Sequence, residues 1–85
     1  MKKTLLAAAL TLSPLAALAM PVVGDVVGTN PADATAALAA KGCAVMGFEA
    51  EGGKIEAKCT DAEKKMWEIY IDPKSGAVTQ VKSEG

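Results

Sequence analysis

The most regular alternation of apolar and polar residues lies near the C-terminus. Trp67, Ile69 and Ile71 occupy every second position, which is the period of a strand with one buried face. Asp72–Gly76 then supplies turn chemistry, because Asp accepts backbone hydrogen bonds, Pro presets φ and Gly adopts positive φ. Ala77–Lys82 follows as a second short strand, so the pattern predicts a β-hairpin.

Two further strands are predicted upstream of this hairpin. Lys54–Thr60 alternates cleanly, with apolar residues on one face and Lys or Glu on the other. Cys43–Ala50 is a mostly apolar stretch interrupted by Gly47, which predicts a β-bulge or a close approach of a neighbouring helix. Glu51–Gly53 joins the two stretches as a hairpin turn.

A helix is predicted before the first strand. Asn30 can cap the free N–H groups, Pro31 fits the first helical position, and Asp33 places negative charge in the first turn. Gly42 is the predicted stop after Lys41. The face to be buried has one large side chain, so it must approach the sheet closely; it comprises Ala34, Ala37, Leu38 and Lys41.

These elements predict an α+β domain with one N-terminal helix packed on a four-stranded antiparallel β-meander, over residues 29–82. Residues 20–28 are predicted to be an extended lead-in, which either lays its valines along the domain edge or stays flexible. Residues 83–85 are predicted to be a disordered tail.

Residues 1–19 have the composition of a secretory signal peptide. Two lysines precede Leu5–Leu18, which is nearly all Leu and Ala, and Ala17–Ala19 offers a small-x-small cleavage pattern. The apolar run is shorter than the ~20 residues that a spanning helix needs, and Pro14 interrupts it. We therefore predict cleavage after Ala19, a periplasmic or secreted bacterial protein, and no membrane insertion after cleavage.

Charge and composition narrow the classes of function. Without residues 1–19 the chain has 66 residues, with seven lysines against ten acidic residues, a formal charge of −3. Nucleic acid and anionic membrane surfaces bind basic faces, so neither is expected as a partner. His and Arg are absent, which removes the usual general base, the commonest metal ligand and the bidentate anion clamp. We expect a binding protein, not an enzyme, with no cofactor.

The two cysteines are the strongest candidates for a disulfide, a redox site or a metal site. Below ~70–80 residues a hydrophobic core seldom supplies more than ~3–5 kcal/mol, so a pair of cysteines in an exported chain favours a structural disulfide. The first predicted hairpin brings Cys43 near Cys59. Two alternatives stay open, a redox dithiol, which is usually a Cys-x-x-Cys pair, and a metal site, which needs four N or S ligands.

The other polar and aromatic side chains have structural explanations. Asp72 belongs to a turn, and Glu56 and Glu68 are expected on solvated strand faces, so no carboxylate pair is suited to glycoside hydrolysis. The serines have no His to activate them. Trp67 is expected in the core, whereas Tyr70 lies on the opposite face, half-exposed and accessible to a partner.

The segment Trp67–Val78, with its Ile-Asp-Pro-Lys-Ser-Gly-Ala-Val ending, resembles the closing hairpin of the PepSY domain. That family is named from propeptides of thermolysin-like metallopeptidases and a spore-germination protein. Asn30–Ala50 is similar to its helix and first strand, so the likeness covers roughly residues 29–82. The resemblance implies a non-catalytic module that binds or restrains peptidases, or regulates at the cell envelope. The cysteine pair departs from the family pattern.

We therefore predict a module that binds a protein or peptide, with inhibition or modulation of an envelope peptidase as the specific hypothesis. The edge Ala77–Val81 carries no proline and no charge, and such an edge can recruit another strand unless the lead-in shields it. The alternative class is a thiol-disulfide or metal-handling envelope protein using Cys43 and Cys59. The predicted contact residues are Tyr70, Val78, Thr79 and Gln80.

Overall fold

A computed structural model describes residues 20–84, so the predicted signal peptide at residues 1–19 lies outside the described residues. Within them, the strands pair in chain order as one antiparallel sheet, and the helix precedes them. This confirms the predicted α+β class and the four-stranded antiparallel sheet. The elements are α1 (Pro31–Ala40), β1 (Ala44–Glu51), β2 (Lys54–Thr60), β3 (Met66–Ile71) and β4 (Val78–Ser83).

Helix α1 begins as its capping residues predict. The Asn30 Oδ1 atom accepts a hydrogen bond from the Asp33 N–H at 2.9 Å, and a proline occupies the first turn. The helix ends at Ala40, one residue earlier than predicted, because Lys41 has left helical geometry and caps the end. The Lys41 Nζ atom lies 3.4 Å from Asp25 Oδ2, which ties the end of α1 to the lead-in.

The hydrophobic core lies between α1 and one face of the sheet. Leu38 is fully buried and Ala34 is 4% exposed, so the helix contributes one large and one small side chain. Trp67 is only partly buried and packs against the edge of this core. The core residues are Val27, Ala34, Leu38, Cys43, Ala57, Cys59, Ile69, Ile71 and Val78.

An aspartate organises each of the last two turns. In the β3–β4 turn, Asp72 Oδ1 accepts from the N–H groups of Lys74 and Ser75 at 2.7 and 3.3 Å, as the turn residues predict. These hydrogen bonds favour the charged form and lower the pKa of Asp72. The Gly76 N–H closes the turn on the Asp72 carbonyl at 2.8 Å.

Asp61 organises the β2–β3 turn in the same way. Its Oδ2 atom accepts from the Trp67 indole N–H at 2.9 Å, and its Oδ1 atom accepts from the N–H groups of Glu63 and Lys65. The bond from Trp67, followed by the bond from Lys65, lowers the pKa of Asp61. The carboxylate therefore fixes the orientation of the indole ring at the edge of the core.

The lead-in, residues 20–28, is ordered and pairs with the start of β4. Val26 and Ala77 form an antiparallel bridge, and the Val27 N–H donates to the Gly76 carbonyl at 2.8 Å. Val27 is 3% exposed and belongs to the core. The structure therefore places this segment along the start of the β4 edge, with Val27 in the core.

Two local expectations need correction. Gly47 does follow a β-bulge in β1, but a Cβ atom built on it would meet nothing within 4 Å, so no helix approaches it. The predicted disordered tail is paired through residue 84, because Ser83 lies opposite Trp67 in β4 and the Glu84 N–H donates to the Met66 carbonyl at 3.0 Å. The sheet therefore extends one residue beyond the predicted end of β4.

Candidate functional site

The four predicted contact residues on β3 and β4 do not share one surface. Tyr70 and Gln80 are direct partners across β3 and β4, and the Thr79 hydroxyl donates to the Tyr70 carbonyl at 3.3 Å. These contacts make the three residues neighbours. Thr79 and Gln80 are exposed, and Tyr70 is half-buried. Val78 is 1% exposed and points into the core, and it does not belong to this surface.

The backbone edge of Val78 is also occupied. Its N–H donates to the Asp25 carbonyl at 2.8 Å, and its carbonyl accepts from the Gly24 N–H at 2.9 Å. The Asp25 carboxylate accepts a hydrogen bond from the Val22 N–H. This bond has the largest effect in lowering the pKa of the carboxyl, and the nearby charge of Lys41 also lowers it. An incoming strand could therefore reach β4 only beyond Val78, because the lead-in holds the edge before it.

An apolar groove lies at the same end of the sheet as Val78, between the start of α1 and the ends of β1 and β3. Its volume is about 220 Å³, and Pro73, which follows the end of β3, is one of its lining residues. We call it the α1–β1 groove. Its walls are formed by Pro31, Ala34, Phe48, Ala50, Ile55 and Ile71, with Asn30 and Glu49 as polar neighbours.

The groove arises from side-chain size. Pro31 and Ala34 are the helix residues that face it, and their small side chains do not fill the space between the helix and the end of β1. Phe48 and Ile55 are only partly buried because this space is open to solvent. The sequence signal was present in the small residues of α1, but those residues predicted close packing, and an open groove was missed.

The cysteine pair forms a disulfide. Cys43, just before β1, and Cys59, on β2, have Cα atoms 5.3 Å apart and their sulfur atoms at bonding distance. Both residues are fully buried. In this state neither sulfur is presented to a metal ion or to an attacking thiolate, which must reach the sulfur to react.

The outer face of the sheet, turned away from α1, carries a second group missed by sequence reasoning. Glu56 was expected to be solvated, but it is 3% exposed, because it lies on an interior strand between Glu49 of β1 and Tyr70 of β3. The pKa of Glu56 is raised to about 7. The largest cause is a hydrogen bond shared with the Glu51 carboxyl, followed by burial and by the charge of Glu68.

Tyr70 is part of the same environment. Its hydroxyl donates to Glu68 Oε1 at 3.2 Å, and burial, followed by the charges of Glu56 and Glu68, raises its pKa to about 12. Tyr70 therefore remains a neutral hydrogen-bond donor at physiological pH. Counting outward from the Gly52–Gly53 turn places Glu49 opposite Glu56, so the sequence did contain the signal for this like-charge pair.

Residues 20–84 contain neither a metal-binding cluster nor a helix that could span a membrane. Across residues 20–84, no group of three or more His, Cys, Asp or Glu residues is arranged to hold a metal ion. The same part of the chain contains no helix long and apolar enough to cross a membrane.

Comparison with known proteins identifies the family. A PepSY family model, described as peptidase propeptide and YPEB domain, matches residues 3–82 of the 85-residue chain. A search of curated proteins and a search of solved structures found no match. PepSY domains are generally non-catalytic, propeptide-like or inhibitor-like, and typically extracellular or periplasmic. The matched region contains the whole lead-in, the helix, strands β1 to β3 and all of β4 except Ser83, and the chain belongs to the PepSY family.

Proposed function

We propose that this chain is a non-catalytic module that binds a polypeptide in the bacterial cell envelope and thereby inhibits or modulates a peptidase. Membership of the PepSY family supports a propeptide-like or regulatory role. The observation that carries the binding proposal is the α1–β1 groove, an apolar concavity of about 220 Å³ that is open to solvent.

The size and lining of this groove favour a side chain of a polypeptide over a metabolite. Pockets for drug-sized ligands usually measure ~300–1,000 Å³ and carry several convergent polar groups. This groove is smaller and mostly apolar, and it lies beside the exposed end of β1. One or two apolar side chains of a partner would bury its open wall at Phe48 and Ile55.

A second contact surface is proposed at the part of the β4 edge that the lead-in leaves uncovered. Tyr70, Thr79 and Gln80 lie there, and Thr79 and Gln80 are exposed. An extended partner segment could add to a sheet edge through main-chain hydrogen bonds. Val78 is excluded from this surface because its backbone and side chain are already engaged.

Export also remains part of the proposal. Its support is the basic, Leu/Ala-rich segment ending in the small-x-small pattern at Ala17–Ala19, together with the usual location of PepSY domains. We propose that the secreted form begins at Met20 and that the folded unit comprises residues 20–84, because the lead-in contributes Val27 to the core.

The proposal is tested by titrating the oxidised chain into a thermolysin-like metallopeptidase and measuring peptide hydrolysis. We expect the rate to fall as the complex forms. Ala50→Trp, which fills the groove from its exposed rim, should weaken inhibition at least about tenfold, or ~1.4 kcal/mol. Ala62→Trp, in the exposed β2–β3 turn, is the matched control and should inhibit like the parent.

Two outcomes would contradict parts of this proposal. An unchanged hydrolysis rate at saturating domain rules out action on that peptidase class. Equal inhibition by the parent and Ala50→Trp removes the groove from the binding surface. Thr79→Pro, with its fold checked by circular dichroism, then reports on the β4 edge in the same titration.

A further inference from the structure

Glu56 is a carboxyl side chain buried on the sheet face that no helix covers within residues 20–84. Its strand, β2, is interior, so side chains from both neighbouring strands surround it. Glu49 lies directly opposite on β1 and Tyr70 directly opposite on β3. A buried carboxylate needs hydrogen-bond donors or a positive charge to offset its loss of water.

The donors near Glu56 are directed at other carboxyls. Lys58 Nζ lies 3.8 Å from Glu49 Oε2, and the Tyr70 hydroxyl donates to Glu68. The titratable groups on this face are Glu49 and Glu51 from β1, Lys54 and Lys58 from β2, Glu68 and Tyr70 from β3, Lys82 from β4, and Glu84.

Glu51 lies on the same sheet face as Glu56 and diagonal to it, because Glu51 is opposite Lys54. Glu56 shares hydrogen bonds with two other carboxyl groups, those of Glu51 and Glu68. A carboxylate has acceptor atoms only, so two carboxyl groups can share a hydrogen bond only when one of them carries a proton. The pairing therefore exists in a protonated form and is replaced by repulsion when both groups ionise. The raised pKa of Glu56, about 7, places this change near neutral pH.

We propose that the Glu51–Glu56 pair is a pH-sensitive switch that holds the end of the β1–β2 hairpin together when it shares a proton and weakens it on ionisation. The two strands are joined there by Gly52 and Gly53, which have no side chains to add contacts. The pair is one of the side-chain contacts that join the two strands there, with Ala50 and Ile55 directly opposite each other on the other face. The register places Glu51 opposite Lys54. Glu56 lies opposite Glu49, two residues further from the turn.

The same hairpin end forms a wall of the α1–β1 groove, through Phe48, Ala50 and Ile55. Protonation of the pair therefore also determines how firmly this wall of the groove is held in place. This link to binding rests on the proposed function, whereas the switch itself does not, and the two are tested by different measurements.

The direction of the pH effect follows from the raised pKa. Below the ordinary glutamate value of 4.5, Glu56 is protonated in both the folded and the unfolded chain, and its contribution to stability is fully present. As the pH rises through about 7, the folded state must give up that proton, and the contribution is lost. The domain should become less stable between pH 5 and pH 8.

The test is urea unfolding of the oxidised chain at several pH values from 5 to 8. For the parent, the unfolding equilibrium constant should rise about tenfold or more across this range. Glu56→Gln keeps a donor for Glu51 and carries no charge, so its equilibrium constant should change much less. Glu63→Gln removes an exposed charge from the β2–β3 turn, away from this face, and should keep the pH dependence of the parent.

Carbon-13 NMR of the glutamate side-chain carboxyls supplies an independent measurement on the parent chain. A titration midpoint near 7 for Glu56 supports the switch. A midpoint near 4.5, or a Glu56→Gln variant with the same pH dependence as the parent, overturns it. Should Glu56→Gln fail to fold, the NMR midpoint alone decides, since it requires no variant.

Discussion

Gly76 lies where the β3–β4 turn meets the end of the lead-in. Its φ is +76°, and a Cβ atom built on it would lie 2.7 Å from the carbonyl carbon of Gly28. The backbones of Gly76 and Gly28 therefore approach too closely to leave room for a methyl group. The turn sequence predicted the positive φ, but the neighbouring backbone of Gly28 is a tertiary feature that the turn sequence does not contain.

Gly76→Ala should destabilise the domain more than Gly53→Ala. Gly53 has a similar φ, +82°, but nothing lies within 4 Å of a Cβ built there, so alanine meets only the left-handed backbone penalty of ~1–2 kcal/mol. At Gly76 the overpacking against Gly28 should add ~1–3 kcal/mol to the loss in free energy of unfolding. Urea unfolding of both variants measures the difference, and equal losses would contradict the close contact.

Helix α1 is stabilised by its contact with the sheet and by its cap. It has ten residues, shorter than the ~12–15 at which isolated helices become even marginally stable. Leu38 is its one large buried side chain, and the other buried helix residue is Ala34. The caps and the turn residues determined where the helix begins and ends, whereas Leu38 determines that it stays docked.

Leu38→Ala should lower the free energy of unfolding by ~2–5 kcal/mol, because it leaves a cavity in a small core. Thr35→Ala, at an exposed position of the same helix, should change it by no more than ~0.5 kcal/mol. The comparison is made by urea unfolding monitored at Trp67. If the two substitutions had the same effect, Leu38 would not be the anchor of the helix.

Across the whole molecule, the disulfide joins the segment after α1 to interior strand β2, and the two cysteines are separated by 16 in sequence number. Its contribution is expected to be ~3 kcal/mol by chain entropy, a large share of the total for a domain of this size. The bond therefore supplies stability that the core of so small a domain cannot provide.

Reduction of the disulfide should lower the free energy of unfolding by ~3 kcal/mol. The measurement is urea unfolding with and without dithiothreitol, with alkylation to confirm that both thiols have been released. Since the chain has two cysteines, the reductant acts on this bond alone. The double variant Cys43→Ala, Cys59→Ala is the control and should not respond to the reductant; an unchanged parent would contradict a structural role.

The sequence by itself determined the elements and their order. Apolar alternation in β2 and β3, the Asn30 cap, the two-glycine turn and the Asp72 turn are local signals, because each acts within a few residues through backbone geometry or strand period. Neighbouring antiparallel strands joined by short turns pair with each other, so the meander followed from these signals.

Tertiary structure alone decided the features on which the proposed function rests. The pairing of Asp25 with Val78 across more than fifty positions closed part of the β4 edge, and the residues left uncovered there became Thr79 and Gln80. The groove beside Ala34 and the burial of Glu56 likewise depend on how a helix and a twisted sheet meet. Side-chain volume and shielding from water are properties of such contacts, and no local pattern of residues contains them.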